Sequence, residues 1–362
     1  MNSFLRNASA LALAIYGAGS GAAFAAQPPA RVVDPLSREA LLTPRAAQST
    51  LLGVALAGQR LVAVGERGVV LFSDDNGASW HQAQTPVSVT LTVVRFIDAT
   101  RGWAAGHNGV LLQTVDGGTS WQRVLDGRDV VALYQQQAEK LASRFGENEE
   151  KVRRARRHAE QLTADGPDKP WLDMNIDSAG RLWLVGAYGM ALHSRDGSVW
   201  EPWSANLDNP KDLHLYAIKS QGDEVFIAGE QGLLLRSTDA GQSFQRLASP
   251  YKGSFFVLEL HDNEILIGGL RGFAFRSADR GSHFEPITLP APISVTGSLR
   301  LQDGETLLVD QSGSLYRLNT GRLQKIEGNA GSNPSALVEA ANGALVGVGR
   351  FGPLNISALA HP

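Results

Sequence analysis

The chain has 362 residues, of which 43% are hydrophobic and 19% charged, with 33 basic side chains against 36 acidic ones. This length can bury a large core, and the slightly acidic balance gives no electrostatic basis for binding nucleic acid, so we expect no nucleic-acid partner. The absence of cysteine excludes disulfide bonds, thiolate metal sites and a lipid-modified N-terminal cysteine.

The first residues have the pattern of an export signal peptide. Arg6 precedes an apolar run over residues 8–18, and Ala23-Phe24-Ala25 has the small-x-small pattern of a cleavage site. The alternative is a membrane anchor, but the run is shorter than the roughly 20 residues that a membrane span needs. We predict a signal peptide over residues 1–25 and a mature protein that is soluble in the periplasm or secreted.

A Gly-x-x-Gly turn between two hydrophobic runs recurs seven times after the signal peptide. The first positions of the copies lie 41, 80, 43, 40, 41 and 39 residues apart, and in the sixth copy Asp310 replaces the first glycine. In the fourth repeat, short apolar runs predict strands over 215–219, 225–229, 233–237 and 244–247. Four strands in a period of about 40 residues are typical of a propeller blade. The sequence therefore predicts an all-β fold, a single seven-bladed β-propeller domain over residues 26–362.

An Asp-box motif, close to Ser-x-Asp-x-Gly-x-Ser/Thr-Trp, follows the glycine turn in the first five repeats. Its acidic and aromatic residues are Asp75 and Trp80, Asp116 and Trp121, Asp196 and Trp200, Asp239 and Phe244, and Asp279 and Phe284. In such a turn the carboxylate accepts backbone N–H groups, glycine supplies a positive φ, and the aromatic ring enters the space between blades. We interpret these aspartates as structural, with no catalytic or metal-binding role.

The double spacing between the second and third turns marks an insertion over about residues 126–170. Residues 130–145 and 148–162 are rich in helix-forming residues and flank Gly146-Glu147, which predicts a helical hairpin between blades two and three. An apolar stripe follows the first helix at Leu133, Tyr134, Ala138, Leu141, Ala142 and Phe145. The second helix carries Arg153, Arg154, Arg156, Arg157 and His158. Two interpretations stay open: a self-contained hairpin with a solvated basic edge, and a docking arm for an acidic or membrane-proximal partner.

The last two repeats depart from the pattern. The sixth keeps strands over 299–301, 306–310, 314–318 and 323–326 but has no Asp box, and the seventh ends after three strands, near Ala358. We expect a segment within residues 27–48, with Arg31–Val33 as the candidate strand, to complete the last blade, because an open sheet edge would otherwise remain.

Together these motifs resemble one family of propellers. Asp boxes also occur in sialidases, sortilin-type receptors and some glucanases, but Leu111–Trp121 is more similar to the photosystem II assembly and stability factors of plastids and cyanobacteria. The resemblance covers about residues 50–358. It implies a non-enzymatic assembly factor that holds a membrane protein or subunit during its biogenesis. For a periplasmic protein, it implies a partner in a membrane transporter or another envelope complex.

Successive turns of a blade alternate between the two faces of a propeller. The Gly-x-x-Gly turns and the insertion therefore share one face, and the Asp boxes lie on the other. Although polar turn residues are usually only solvated, those of the first face are our candidates for partner binding: Arg67, His107, Asn108, Tyr188, Glu230, Gln231, Arg271, Arg350 and Phe351.

A sialidase-like glycoside hydrolase is the alternative function. It would use Tyr188 as the nucleophile, Glu230 as its assistant and an arginine triad on the substrate carboxylate, namely Arg67, Arg271 and Arg350. Against it, the Phe/Tyr-Arg-Ile-Pro segment of sialidases is missing, seven repeats replace six, and no separate Asp acid is identifiable.

We predict no catalytic residue, cofactor or small-molecule substrate, and a chain that is monomeric by itself. The eight histidines have no metal-ligand spacing. A structural calcium ion stays open, because its carbonyl and carboxylate ligands leave no readable spacing.

Overall fold

The computed structural model describes residues 33–319, 322–329 and 334–356. These residues form seven antiparallel sheets, six of four strands and one of three, in which each strand pairs with the next along the chain. The first strands of neighbouring sheets pack together, and the first strand of the seventh sheet packs against that of the first. The sheets are therefore the blades of a closed seven-bladed propeller, which confirms the predicted fold.

The strands are numbered within each blade from the central channel outward. Those of the first three blades are Leu51–Ala57, Arg60–Gly65, Val70–Ser73 and His81–Gln82; Leu91–Phe96, Gly102–Gly106, Leu111–Thr114 and Gln122–Leu125; and Trp171–Ile176, Leu182–Gly186, Ala191–Ser194 and Glu201–Pro202. Those of blades four and five are Leu215–Gln221, Glu224–Gly229, Leu234–Ser237 and Gln245–Arg246; and Phe255–His261, Glu264–Gly269, Ala274–Ser277 and Glu285–Ile287. Those of blades six and seven are Val295–Arg300, Thr306–Asp310, Ser314–Asn319 and Arg322–Asn329; and Pro334–Glu339, Leu345–Gly349 and Gly352–Ile356.

The four strands predicted in blade four each overlap an observed strand. The largest difference concerns blade six, whose first strand begins at Val295 instead of Leu299. Gly297 and Ser298 are poor strand formers, so the sequence pattern gave no strand signal over them. Packing against the neighbouring first strands extends the strand through them, because strand formation depends more on context than on intrinsic propensity.

The core lies between the blades. The second strand of each blade is apolar and buried along nearly its whole length, because neighbouring blades cover both of its faces. Trp103 and Trp183, at the same position in blades two and three, are 2% and 0% exposed. Burial of a large apolar side chain of this kind contributes roughly 1.5–3 kcal/mol.

The Asp boxes form closed turns. In blade one, Asp75 Oδ1 accepts the backbone N–H of Ser79 at 2.8 Å and the hydroxyl of Ser73 at 2.7 Å. Gly77 has a φ of 93°, and the indole N–H of Trp80 donates to its carbonyl at 3.1 Å. The carboxylate of Asp75 is therefore used inside its own turn.

The aromatic residue of each Asp box packs against the preceding blade. Trp121 of blade two lies in one cluster with Val62 of blade one, and Trp200 of blade three lies with Trp103 of blade two. The glycine of the Asp box also lies against the preceding blade, since a Cβ on Gly197 would lie 2.3 Å from the ring of Trp103. Each Asp box is therefore a wedge that covers the groove between two blades.

The insertion between blades two and three forms the predicted hairpin, with α1 over Gly127–Phe145 and α2 over Glu150–Asp165. Asp126 caps α1: its carboxylate accepts the backbone N–H of Arg128 at 2.9 Å, and Asp129 accepts the N–H of Asp126 at 2.9 Å. Within the described ranges, no helix has the length and apolar character needed to cross a membrane.

The predicted apolar stripe of α1 is wrong at its last position. Tyr134, Ala138 and Ala142 are buried, but Phe145 is 46% exposed. Phe145 is the last residue of α1, beside the turn that leads into α2, and the guanidinium of Arg144 lies 5.0 Å from its ring centre. The apolar periodicity of one helix does not show where the partner helix ends and stops covering its apolar residues.

The seam of the ring lies between blades seven and one. The predicted signal peptide and the strand candidates Arg31 and Val32 lie outside the described residues, so the predicted completion of the last blade stays a prediction. In the described part, Ala46–Gln48 forms a 3₁₀-helix that packs against the third strand of blade seven. The hydroxyl of Thr50 donates to the carbonyl of Arg350 at 3.2 Å, which adds a link across the seam.

Candidate partner-binding face

The Gly-x-x-Gly turns share an uncommon backbone conformation. In five of them the third residue has a φ between 53° and 58°, in the left-handed region, and the glycine that follows also has a positive φ; these third residues are Arg67, Asn108, Tyr188, Gln231 and Arg271. This conformation costs a residue other than glycine about 1–2 kcal/mol. The turn therefore displays its third side chain at an energetic cost that the surrounding fold has to support.

Most of the candidate binding residues are exposed. Among these candidates, Asn108 and Glu230 are half-buried. The exposed candidates are Arg67, His107, Tyr188, Gln231, Arg271, Arg350 and Phe351. The hairpin lies on the same face, because the N–H of Gly109 donates to the carbonyl of Lys169 at 2.9 Å, and Met190 packs with residues of both helices.

Glu230 has a structural role that the sequence pattern did not indicate. Its Oε2 accepts the N–H of His214 at 3.2 Å, and its own N–H donates to the carbonyl of His214 at 2.9 Å. Glu66 makes the same two contacts with Thr50 in blade one. The carboxylate of Glu230 therefore anchors the start of a first strand through Oε2.

Four rings on this face form a continuous series, which we name the aromatic ladder: Tyr188, His214, Tyr216 and Phe256. Their successive ring centroids lie 4.8, 6.1 and 5.3 Å apart. The backbone N–H of Tyr188 donates to Nδ1 of His214 at 2.8 Å, which orients the imidazole. Tyr216 and Phe256 line the central channel, so the ladder runs from a turn of blade three to the channel mouth in blade five.

Lys169 connects the ladder to the hairpin. Its ammonium lies 5.4 Å from the ring centre of Tyr188 and 2.5 Å from Asp168. Burial lowers the pKa of Lys169, but the hydrogen bond and the charge of Asp168 outweigh burial and raise it above its ordinary value. A cation held in this way over an aromatic face fixes the orientation of the Tyr188 ring.

The central channel is held together by ion pairs between blades. Arg95 of blade two contacts Asp173 of blade three at 2.9 Å, and Lys219 of blade four contacts Glu259 of blade five at 3.1 Å. The hydroxyl of Ser298 donates to Glu259 at 2.7 Å. These groups satisfy one another, and the channel cavity measures about 230 Å³.

The arginines of α2 are also partnered within the chain. Arg153 and Arg157 contact Glu150 at 2.7 and 3.5 Å, and Arg154 donates to the carbonyl of Ala205 at 2.8 Å. Arg156 lies 2.6 Å from Glu147 and 2.9 Å from Glu139, and these hydrogen bonds raise its pKa above the ordinary value. The basic edge is therefore largely neutralised locally, which favours the self-contained hairpin over a docking arm for an acidic partner.

The sequence pattern did not indicate Lys169, His214, Tyr216 and Phe256, because they lie outside the Gly-x-x-Gly turns, in the first strands or in the links that precede them. One signal was available. Tyr216 and Phe256 occupy the second position of the first strand in consecutive repeats, so alignment of the repeats would have placed both at the channel mouth. Among the described residues, no three His, Asp or Glu side chains are grouped so that they could hold a metal ion.

A protein-family profile and several known propellers are similar to this chain. The profile of a family described as "Photosynthesis system II assembly factor YCF48" matches residues 74–142 and 157–322. The photosystem II assembly lipoprotein Ycf48 of Synechococcus sp. (strain CC9902) is 36% identical over 77 residues, which are 21% of this chain and 23% of that protein. The match thus spans less than a quarter of the curated relative.

Two solved propellers show the fold alone, because their sequence identities are low. YCF48 from Cyanidioschyzon merolae is 14% identical, with a TM-score of 0.59 over 88% of this chain and 97% of that one. Streptogramin B lyase is 11% identical, with a TM-score of 0.62 over 88% and 97%. A fold shared by a lyase and an assembly factor leaves function to be argued from the site.

Proposed function

Because the chain belongs to the photosynthesis system II assembly factor YCF48 family, we propose that it is a non-catalytic assembly factor that binds a protein of a membrane or envelope complex. The binding surface is the face of the Gly-x-x-Gly turns. In this proposal the protein acts in the periplasm after export, and its partner belongs to a membrane transporter or another envelope complex.

The aromatic ladder is the observation that carries the proposal. Tyr188 is 45% exposed although it is a large aromatic residue held in a left-handed turn conformation. Tyrosine and other aromatic residues are enriched in the centres of protein interfaces, where rigid rings bury large areas at little entropic cost. Three further large apolar side chains are exposed in or beside the turns of this face, Leu270 at 37%, Phe273 at 43% and Phe351 at 67%.

The shape of the face favours a protein over a small molecule. The central channel encloses about 230 Å³, less than the roughly 300–1,000 Å³ of typical small-molecule pockets. The ladder lies on an open surface, and its polar neighbour Glu230 is bound to the backbone. An open aromatic surface on a rigid scaffold suits the docking of another protein.

Site-specific crosslinking in cells tests this proposal. A photo-crosslinking amino acid replaces Tyr188, and a matched variant carries it at Val199, which is 66% exposed on the Asp-box face. We expect position 188 to give an adduct with a subunit of an envelope complex and position 199 to give none. No adduct at position 188, or the same adduct at both positions, would contradict the proposed face.

The non-catalytic part has its own test. The purified protein is incubated with a fluorogenic sialoside, and we expect no hydrolysis above the buffer rate. Hydrolysis that is lost in Tyr188→Phe would establish a glycosidase and overturn the proposal.

A further inference from the structure

The face of the Gly-x-x-Gly turns is divided by charge. Between blades two and four, the links that join the blades carry exposed acidic side chains, namely Asp165, Asp168, Asp208 and Asp212. Around blades five to seven, the links 247–254 and 288–294 contain no acidic residue. In the turns of these three blades the one carboxylate is Asp310, which is 1% exposed and accepts the hydroxyls of Ser312 and Tyr316. These turns and links therefore expose no negative charge.

The same side of the face exposes three positively charged side chains, Lys252, Arg271 and Arg350. Within the described ranges, none of the three forms an ion pair, in contrast to the arginines of α2. Each is adjacent in sequence to a large apolar or aromatic residue. We name these pairs the cationic sites: Tyr251-Lys252, Leu270-Arg271 and Arg350-Phe351.

Apolar side chains are exposed at or beside each cationic site. Leu270 and Phe351 stand in the turns themselves, and Phe351 is the more exposed of the two. Phe273 follows the turn of blade five and stacks on Tyr251, with ring centres 4.2 Å apart. Exposed apolar groups that recur on one surface are typical of an interaction site.

Backbone contacts hold this surface in a fixed arrangement. The N–H of Leu270 donates to the carbonyl of Ser254 at 3.0 Å, and the N–H of Arg271 donates to the hydroxyl of Ser294 at 3.1 Å. In the turn of blade six, the N–H of Gln311 donates to the carbonyl of Ser294 at 2.9 Å. The turns of blades five and six and the links beside them are thus joined, so the exposed side chains belong to one rigid surface.

We propose that the cationic sites bind the surface of a membrane that contains anionic phospholipids. Lipid phosphates complement a surface that exposes positive charges and no carboxylate. Leu270, Phe273 and Phe351 enter the boundary between head groups and acyl chains, while the long lysine and arginine side chains keep their charges at the phosphates. Apolar side chains at the tips of turns, each beside a cation, have the arrangement of interfacial membrane anchors. This lipid ligand is additional to the protein ligand of the proposed function and does not depend on it.

Flotation of vesicles with the purified protein tests this proposal. One set of vesicles contains phosphatidylcholine alone, and the other also contains phosphatidylglycerol, which is anionic. Each basic side chain near an anionic surface strengthens binding about fivefold, so the three cationic sites should give about hundredfold tighter binding to the anionic vesicles. This preference should decrease as the salt concentration rises, because salt screens exposed charges.

Matched substitutions locate the membrane-binding surface. Arg271→Gln should weaken binding to the anionic vesicles about fivefold, whereas Arg271→Lys keeps the charge and should bind like the unmodified chain. Phe351→Ser should weaken binding about tenfold, because less apolar area is buried in the membrane. Arg195→Gln and Val199→Ser are the controls on the Asp-box face, where both side chains are exposed, and they should leave binding unchanged.

Four results would overturn the proposal: no binding to either kind of vesicle at low salt, equal binding to both kinds, an equal loss in Arg271→Lys and Arg271→Gln, or equal effects of the variants on the two faces. The vesicles contain no protein, so the outcome is independent of crosslinking at Tyr188. An adduct at Tyr188 without vesicle binding would support the proposed function and contradict the lipid ligand.

Discussion

The two faces of the propeller use their turns in opposite ways. On the Asp-box face, Asp75 binds Ser79 inside its own turn, and Trp121 enters the groove beside the preceding blade. On the other face, the Gly-x-x-Gly turns close through glycine and backbone hydrogen bonds, so Arg67 and Tyr188 stand exposed. Turns whose side chains form internal hydrogen bonds and pack between blades stabilise the ring. Turns that are closed by backbone hydrogen bonds leave side chains exposed for a partner.

The largest effect should come from a glycine of an Asp box. A Cβ on Gly241, at a φ of 81°, would lie 2.3 Å from the ring of Trp203. We expect Gly241→Ala to lower the free energy of unfolding by about 3 kcal/mol through overpacking and backbone strain. Gly343 has the same φ with no atom within 4 Å of the added Cβ, so Gly343→Ala should cost only about 1 kcal/mol. Urea unfolding measures both, and equal losses would show that the wedge contact contributes nothing.

A pair of tyrosines gives the next largest difference. The hydroxyl of Tyr134 is buried, accepts the N–H of Ala191 at 2.8 Å and donates to its carbonyl at 3.1 Å. Burial raises the pKa of Tyr134 to about 12. Tyr134→Phe should destabilise the protein by about 2 kcal/mol, because it leaves the buried N–H of Ala191 unpaired, whereas the carbonyl of Ala191 still accepts the N–H of Trp203. Tyr188→Phe, on the exposed face, should stay within about 0.5 kcal/mol. Thermal unfolding of the two variants tests whether the hairpin is anchored through this hydroxyl.

Backbone strain on the partner-binding face predicts a small gain. Arg67 is exposed with a φ of 53°, which glycine adopts without strain. We expect Arg67→Gly to stabilise the protein by about 0.5 kcal/mol, because relief of strain slightly exceeds the added entropy of the unfolded chain. Arg67→Ala keeps the Cβ and should give no gain. A gain in the alanine variant would mean that the guanidinium, and not the backbone, is the source of the effect.

The smallest expected effect depends on pH. Hydrogen bonds from the hydroxyl and backbone N–H of Ser79 lower the pKa of Asp75 to about 2. A carboxyl whose pKa is lower in the folded than in the unfolded state stabilises the fold above about pH 4, and this contribution is lost as pH falls toward about 2. Asp75→Asn should therefore flatten the fall of the urea midpoint between these pH values. An unchanged pH profile would show that the carboxylate is not used in the turn.

The fold was readable from the sequence because its signals are local. The glycine turns and Asp boxes lie within a few residues of each other, so their spacing predicts seven blades and the position of the insertion. The same locality explains the errors. The first strand of blade six begins at Val295 because the first strands of neighbouring blades pack against it, and Phe145 is exposed because α2 begins only at Glu150.

The candidate face was readable only in part. Alternation of turns predicts which residues share a face, and the structure leaves Tyr188 and Arg271 exposed there. Alternation of turns does not predict that Glu230 binds the backbone of His214, or that rings from blades three, four and five meet. These contacts join residues of different repeats.

By itself, the sequence determined the number of blades, the order of the strands and the chemistry of each turn, because these depend on residues adjacent in the chain. Only the tertiary structure decided the aromatic ladder and the pairing of the α2 arginines. Each depends on what the neighbouring blade or helix supplies, and that is settled when the ring closes.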